Sequence, residues 1–295
     1  FLGISEAFFW SIFNILQNEL VSSQNMQKQI SLKAITKKVI NVVIPITLGA
    51  AIELYSFSRI AIIVCVFSLA QILLSFYIKN EDENTETINL KSFIKTIKKD
   101  EMTFRPYKYL YLASFFYGLK HNVNSLITIL TIFVFVTTFK LGVLTSVVAV
   151  FSIIALSLFL KFYNSKKHKP FIISLVILGT ISILMVAFKL SPITLIIFNL
   201  VYVVTSVILE TLLTVQRNNL VKLMSMRSYI TQNQSIVELF IDIGRVCAYG
   251  LMLIFSIMFG IASYSILLYI SVFAVLLNGY YIYKTEKEIA CIKPE

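Results

Sequence analysis

Apolar residues in this chain come in long, nearly unbroken runs rather than in the short periodic stripes of a soluble core. Nine stretches hold the roughly 20 mainly apolar residues that a membrane-spanning helix needs. They are 1 to 22, 38 to 56, 59 to 78, 109 to 138, 141 to 163, 170 to 189, 191 to 214, 233 to 258 and 262 to 283. The sixth and seventh are separated only by Lys189 to Pro192, where Leu-Ser-Pro supplies a turn signal. One long hydrophilic stretch, 79 to 108, leaves three spans before it and six after. Within it Leu90, Phe93, Ile94 and Ile97 recur at helical spacing, with Lys91, Lys95, Lys98 and Lys99 in other positions. That pattern fits either an amphipathic helix on the cytoplasmic leaflet or a solvated linker.

Basic residues sort the connections into two kinds. The segments 23 to 38, 79 to 108, 161 to 169, 215 to 230 and the tail after 283 hold 21 of the 26 Lys and Arg, whereas the intervening connections hold only Arg59, Lys140 and Lys189. This alternation is the positive-inside pattern of a polytopic membrane protein. It predicts basic connections and a C-terminus in the cytoplasm, with the chain starting on the outer side. Composition agrees, since 58% of residues are apolar and the mean hydropathy is +0.83. The net charge of +11 is then explained by topology and attraction to anionic lipid rather than by nucleic acid. Cys65, Cys247 and Cys291 show no disulfide or metal-ligand spacing, so neither a metal nor any other cofactor is expected. Phe1 opens inside an apolar run with no Met or basic leader, and the sequence reads as a fragment whose beginning is missing.

Polar side chains inside a bilayer core point to a cavity or a protein partner, because lipid satisfies neither charge nor hydrogen bond. Three spans carry polar stripes. On the first, Glu6, Trp10, Asn14 and Asn18 recur every four residues, and on the seventh Asn199, Tyr202, Ser206 and Glu210 follow spacings of three and four. On the eighth, Gln234, Glu238, Asp242, Arg245 and Tyr249 fall within a narrow arc at about 100° per residue. Asp242 and Arg245 are spaced to pair, which would leave Glu238 beside a like charge and favour a proton on it. The alternative is an ion pair that only pins the helix to a neighbour. Lys120 and His121 lie near mid-depth of the fourth span, placed to hold an anionic group or to pair with Glu6 or Asp242. Trp10 could stack on an aromatic or cationic solute, or merely pack. Glu19 and Glu210 lie near the inner surface, where binding of loop cations such as Lys28 or Arg217 is the preferred expectation. Pro45 and Gly49 would bend and thin the second span.

An internal echo relates the two groups of spans. Ile35-Thr36 stands 13 residues before Gly49, and Ile230-Thr231 stands 13 before Gly244, an offset of 195 in both cases. With the three-plus-six count, this places the first group as helices four to six of a six-helix half lacking its opening three. At that point the chain resembles the major facilitator superfamily, in particular its bacterial, drug-efflux-like and functionally unassigned members. The resemblance rests on the two groups of spans, the central cytoplasmic loop, the inner C-terminus and the helix running from Asn41-Val-Val-Ile-Pro45 to Gly49. The turn Leu160 to Lys169 keeps the positive charge of the family's conserved-type turn but lacks its Asp and Gly.

The resemblance implies an all-α, pseudo-symmetric bundle missing its first three helices, about 100 residues at about 30 per span and loop. It implies residues 1–78 as the remainder of the first half, 79–108 as the central loop and 109–295 as the second half. It further implies a hinge or close contact at Pro45, Gly49 and Gly244, and a monomeric carrier in the plasma membrane. The expected function is secondary active transport of a small molecule by alternating access, as proton-coupled efflux, around Glu6, Trp10, Asn14, Lys120, His121, Asn199, Tyr202, Glu238, Asp242 and Arg245. No GxxxxGK[ST] loop supplies nucleotide energy, and no catalytic cluster favours a membrane enzyme. A non-transporting scaffold or receptor of the same fold is the other alternative.

Overall fold

The computed structural model describes residues 25–75, 89–99, 101–134, 138–163, 168–223, 229–260 and 263–292. Ten helices follow one another among them. They are α1 (Met26–Tyr55), α2 (Phe57–Ser75), α3 (Leu90–Lys98), α4 (Glu101–Leu119), α5 (His121–Val134), α6 (Thr138–Phe162), α7 (His168–Phe188), α8 (Pro192–Leu223), α9 (Ile230–Phe259) and α10 (Ser263–Ile292). No strand occurs among the described residues. Val143–Lys161, His168–Phe188, Pro192–Val221, Ile230–Phe259 and Ser263–Cys291 are each long and apolar enough to cross a membrane. The chain is an all-α integral membrane protein. Eight of the nine expected spans fall on described helices, and the first, 1 to 22, lies outside the described residues.

Helix ends follow local chemistry. Pro192 opens α8 at the position where a missing N–H costs nothing. Ser191 and Thr194 cap it reciprocally, Ser191 N donating to Thr194 Oγ1 at 3.0 Å and Thr194 N to Ser191 Oγ at 3.2 Å. Several helices run past the apolar stretches on their basic sides, α1 beginning at Met26, α8 reaching Leu223 and α10 reaching Ile292. These ends gather together. Gln216 on α8 donates to Glu286 on α10 at 2.8 Å, and the His168 ring lies 5.9 Å from that of Tyr283.

The expected single span 109 to 138 is corrected. Its helix starts earlier, at Glu101, and breaks at Lys120, where Val123 N bonds back only three residues, to Lys120 O at 3.0 Å. Gly118, a weak helix former, stands just before the break. The segment 90–98 is a helix whose Asn89 side chain accepts from Ser92 N at 2.9 Å. Its apolar face is divided between two surroundings. Phe93 and Ile97 are buried, Phe93 against the rings of Tyr107 and Tyr229 at 5.7 and 5.3 Å, whereas Leu90 and Ile94 stay exposed beside the lysines.

At the centre of the later helices, α4 packs against α9 and α10, α10 against α7, and α7 against α8. Asn278 Nδ2 donates to Ala113 O at 2.8 Å and ties α10 to α4. The α4–α9 crossing is closest. A methyl group added to Gly118 would stand 2.0 Å from Ile241 O, and one on Gly244 would stand 2.2 Å from Phe115 O. Glycine therefore lets the two backbones touch. From the first group, α1 lies against α6 and α8, and it runs as one helix through Pro45 and Gly49. Large apolar side chains stay exposed along α2, α6, α7 and α9, as a lipid-facing surface requires.

Candidate functional site

Where α1 meets the later helices, a cavity of about 290 Å³ opens between α1, α5 and α8. Lys38 of α1 and Ile127 of α5 line it, together with Phe198, Asn199, Val203, Ser206, Val207 and Glu210 of α8. The α8 residues share one face because they are spaced at three, four and seven along the helix. Each polar group has a definite setting. Asn199 commits its amide N–H to Leu195 O at 2.8 Å, which leaves its carbonyl oxygen for the cavity. Ser206 Oγ accepts from Lys120 Nζ at 3.2 Å. Lys120 is only 3% exposed and also stands 4.8 Å from the centre of the Tyr117 ring.

Lys120 stands at the one-residue interruption between α4 and α5, and its ammonium reaches α8 from there. In a continuous helix Lys120 and His121 would diverge by about 100°, and after the break they still take different partners. His121 Nδ1 lies 3.3 Å from the hydroxyl of Tyr249 on α9, away from Ser206. Neither pairs with Asp242, which instead accepts from Arg245 Nη1 at 3.0 Å. That pair is largely exposed on α9, with side-chain exposures of 62% for Asp242 and 41% for Arg245.

Glu238 departs from expectation. It accepts from Arg217 Nη1 at 3.2 Å and from Gln234 Nε2 at 2.8 Å, so the ion pair that pins this helix to a neighbour is made by Glu238. Arg217 is buried, so this link joins the inner parts of α8 and α9. Arg217 is thus paired with Glu238 rather than Glu210, and Glu210 lines the cavity. The expected neighbourhood of Glu210 is present, since Lys33 and Lys38 of the basic segment 23 to 38 and Arg217 all lie in its field, although the ion-pair partner of Arg217 is Glu238. Lys120 lies in the field of Glu210 as well. Tyr202 does not line this cavity. It is buried, stacked on Phe198 at 4.7 Å, with its ring edge turned to Gly179 of α7.

Glu6, Trp10 and Asn14 lie outside the described residues, as does Glu19. Lys38, Ser206 and Glu210 are the polar cavity residues that sequence reasoning did not place in the site, and the apolar lining of Ile127, Phe198, Val203 and Val207 was not selected either. Ser206 and Glu210 already stood in the α8 stripe, and their spacing from Asn199 was the available signal. Lys38 carried none, because it reads as one more basic residue of a loop.

The sequence model of the Major Facilitator Superfamily matches residues 1–246. No curated protein and no solved structure matches the chain. With a match over most of its length and a bundle of apolar helices around a polar cavity, the chain belongs to the major facilitator superfamily and is a membrane transporter.

Proposed function

We propose that this protein is a proton-coupled secondary active carrier of a small molecule, working by alternating access around the cavity between α1, α5 and α8. The observation that carries this reading is the cavity itself, which draws its charges from both groups of helices: Lys38 comes from the first and Glu210 from the second, with Lys120 behind the cavity residue Ser206. A site between two groups that can rock against each other is reached from one side at a time. In this reading 1–78 and 109–295 are the rocking parts and 79–108 is the cytoplasmic loop between them. Pro45 and Gly49 are flexing points of α1, and Gly244 is a close-packing point of α9.

The protonatable carboxylate is Glu210, inside the cavity. Glu238, held by Arg217, is part of the inner closure. Lys120, Asn199 and Ser206 contact the solute, and His121, Tyr249, Asp242 and Arg245 continue the polar path along α9. In this reading the basic loops face the cytoplasm and the carrier works as a monomer in the plasma membrane. An efflux cycle would exchange a proton for solute at Glu210, and a co-transport cycle would load both together. The test is a proteoliposome assay with an internal pH dye and a panel of organic anions and cations. A solute-dependent proton flux that disappears in Glu210→Gln supports the reading. A flux unchanged by that substitution removes Glu210 from coupling.

A further inference from the structure

Helix α3 carries three different faces. At about 100° per residue, Phe93 and Ile97 fall on one side, Leu90 and Ile94 lie next to them, and Lys98, Lys91, Lys95 and Lys99 follow in turn round the far side. Each face has its own surroundings. Phe93 and Ile97 are buried, Phe93 against Tyr107 of α4 and Tyr229 at the head of α9, and Ser92 Oγ lies 3.5 Å from the Tyr229 hydroxyl. Leu90 and Ile94 stay 40% and 39% exposed, and all four lysines are exposed. The depth of α3 follows from the rings it grips. Tyr107 stands two residues ahead of Tyr109 and Tyr229 four ahead of Asn233, where the expected spans begin. At about 1.5 Å per residue these rings lie about 3 and 6 Å outside the hydrocarbon. The headgroup layer is about 5–8 Å thick on each side, so α3 is seated at headgroup level.

Charge and apolar character together name what covers the exposed faces. No acid lies on α3, and Glu101, the nearest described one along the chain, is held by Arg105 at 2.6 Å. Asp100 and the acidic run Glu81, Asp82, Glu83 and Glu86 lie outside the described residues. Such a run would answer the lysines but offers nothing to Leu90 and Ile94. A leaflet containing anionic phospholipid answers both, with phosphate for the ammonium groups and acyl chain for the apolar edge.

We propose that α3 is a docking surface for anionic phospholipid, with Lys91, Lys95, Lys98 and Lys99 on the headgroup phosphates and Leu90 and Ile94 at the edge of the acyl chains. Its opposite side is wedged onto both α4 and α9, so lipid held by α3 also holds the first turns of these two helices together. The surface is separate from the cavity and independent of the solute carried there.

The experiment uses the full chain, cysteine-free except for Ile94→Cys, with an NBD dye on that cysteine and a nitroxide lipid carrying its label high on the acyl chain as quencher. The vesicles are phosphatidylcholine alone or with about 30% phosphatidylglycerol, and quenching is expected to be at least about threefold stronger with the anionic lipid. High salt, which shortens screening to about 3 Å at 1 M, should remove the difference. The same dye at Lys99→Cys, about 140° round the helix, should stay unquenched. Changing Lys91, Lys95 and Lys98 together to Gln should abolish the response to phosphatidylglycerol, since each lysine at an anionic surface is worth about fivefold in partitioning. Should a dye-labelled chain fail to reconstitute, amide exchange of 90–99 in nanodiscs decides, with at least about tenfold slowing expected when phosphatidylglycerol is present. Equal quenching in both kinds of vesicle, or equal exchange in both kinds of nanodisc, overturns the proposal. So does a response to phosphatidylglycerol that appears only after Glu81→Gln, Asp82→Asn, Glu83→Gln and Glu86→Gln are combined, because the acidic run would then be what covers the lysines.

Discussion

Alanine substitution at the glycines gives a graded test of how the bundle is packed. In a helix, Gly to Ala gains up to about 1 kcal/mol when nothing is touched. At Gly250 the added methyl meets nothing within 4 Å, so that gain is expected in full. At Gly179 it would meet Thr205 Oγ1 at 3.2 Å, a contact that small movements relieve, and the net change should be near zero. At Gly279 it would collide with Val176 Cγ2 at 2.1 Å, a side chain that can turn away at moderate cost. Gly118 and Gly244 differ in kind, because the obstacles are carbonyl oxygens at 2.0 and 2.2 Å, and no rotamer change moves a backbone. Ordinary contact begins near 3.4 Å, so α4 and α9 must separate by about 1 Å. Overpacking of this sort costs about 3 kcal/mol, at the upper end of its usual range. The assay is the melting temperature in detergent, read by size exclusion after heating. Gly250→Ala should rise by about 2–3 °C and Gly244→Ala should fall by about 6–10 °C, scaled from soluble domains. Gly118→Ala should fall with it. A Gly244→Ala protein that melts at or above the wild type would refute the close crossing and the packing built upon it.

Further outcomes follow from contacts away from the cavity. Glu238→Gln strips the buried Arg217 of its counter-charge and should lower the melting temperature more than the double change Arg217→Gln with Glu238→Gln; simple additivity of the two singles would deny the pairing. Phe93→Ala removes a fully buried ring packed on Tyr107 and Tyr229, a loss of about 3–5 kcal/mol for such truncations, and should free α3 for limited proteolysis at low protease. Lys33, ahead of the expected span of α1, has its amine brought down from 10.5 to about 8, first by burial and then by Arg217 and Lys37. The folded protein therefore loses this proton between about 8 and 10.5 while the unfolded chain keeps it, so its contribution to stability rises with pH in that window. Acetylation of Lys33 should accordingly show a midpoint near pH 8, and a midpoint near 10.5 would contradict the burial. Single cysteines at Lys37 and Lys284 in a cysteine-free background should label from the same side of the membrane, and at Lys189 from the other; mixed labelling would break the topology.

The apolar runs revealed the helices well because bilayer thickness imposes a length that composition alone can meet. Where prediction slipped, polar residues continued a helix beyond the hydrocarbon or a bend interrupted it within. Met26 to Lys37 forms the first part of α1 although it reads as loop, since Lys and Gln are good helix formers once outside lipid. Lys120 interrupts what reads as one long span, because hydropathy registers depth and says nothing about where a backbone bond is lost. The segment 90–98 shows the same limit from another side. Its period predicts an apolar face, but only the positions of Tyr107 and Tyr229 decide that Phe93 docks on protein.

Charged residues of the site were harder to read, and the α9 stripe shows why. A helical wheel puts Gln234, Glu238, Asp242, Arg245 and Tyr249 on one face, yet it is blind to what that face meets at each level. At the inner level the face meets Arg217, which belongs to a helix whose basic residue looked like loop charge. Further along, Asp242 and Arg245 satisfy each other and remain exposed, so the pair predicted from spacing is formed away from the cavity. Glu210 carried the opposite ambiguity: its distance from the end of its span suggested a surface role, and only the approach of α1 with Lys38 makes it the shared acid of a cavity. Spacing along one helix can tell which residues look the same way, but which charges meet across helices depends on packing. The assignment of Glu210 therefore depends on the packing of α1 against α8, and a substitution that pushes these two apart should abolish the solute-dependent flux in proteoliposomes while leaving the α9 pair of Asp242 and Arg245 intact.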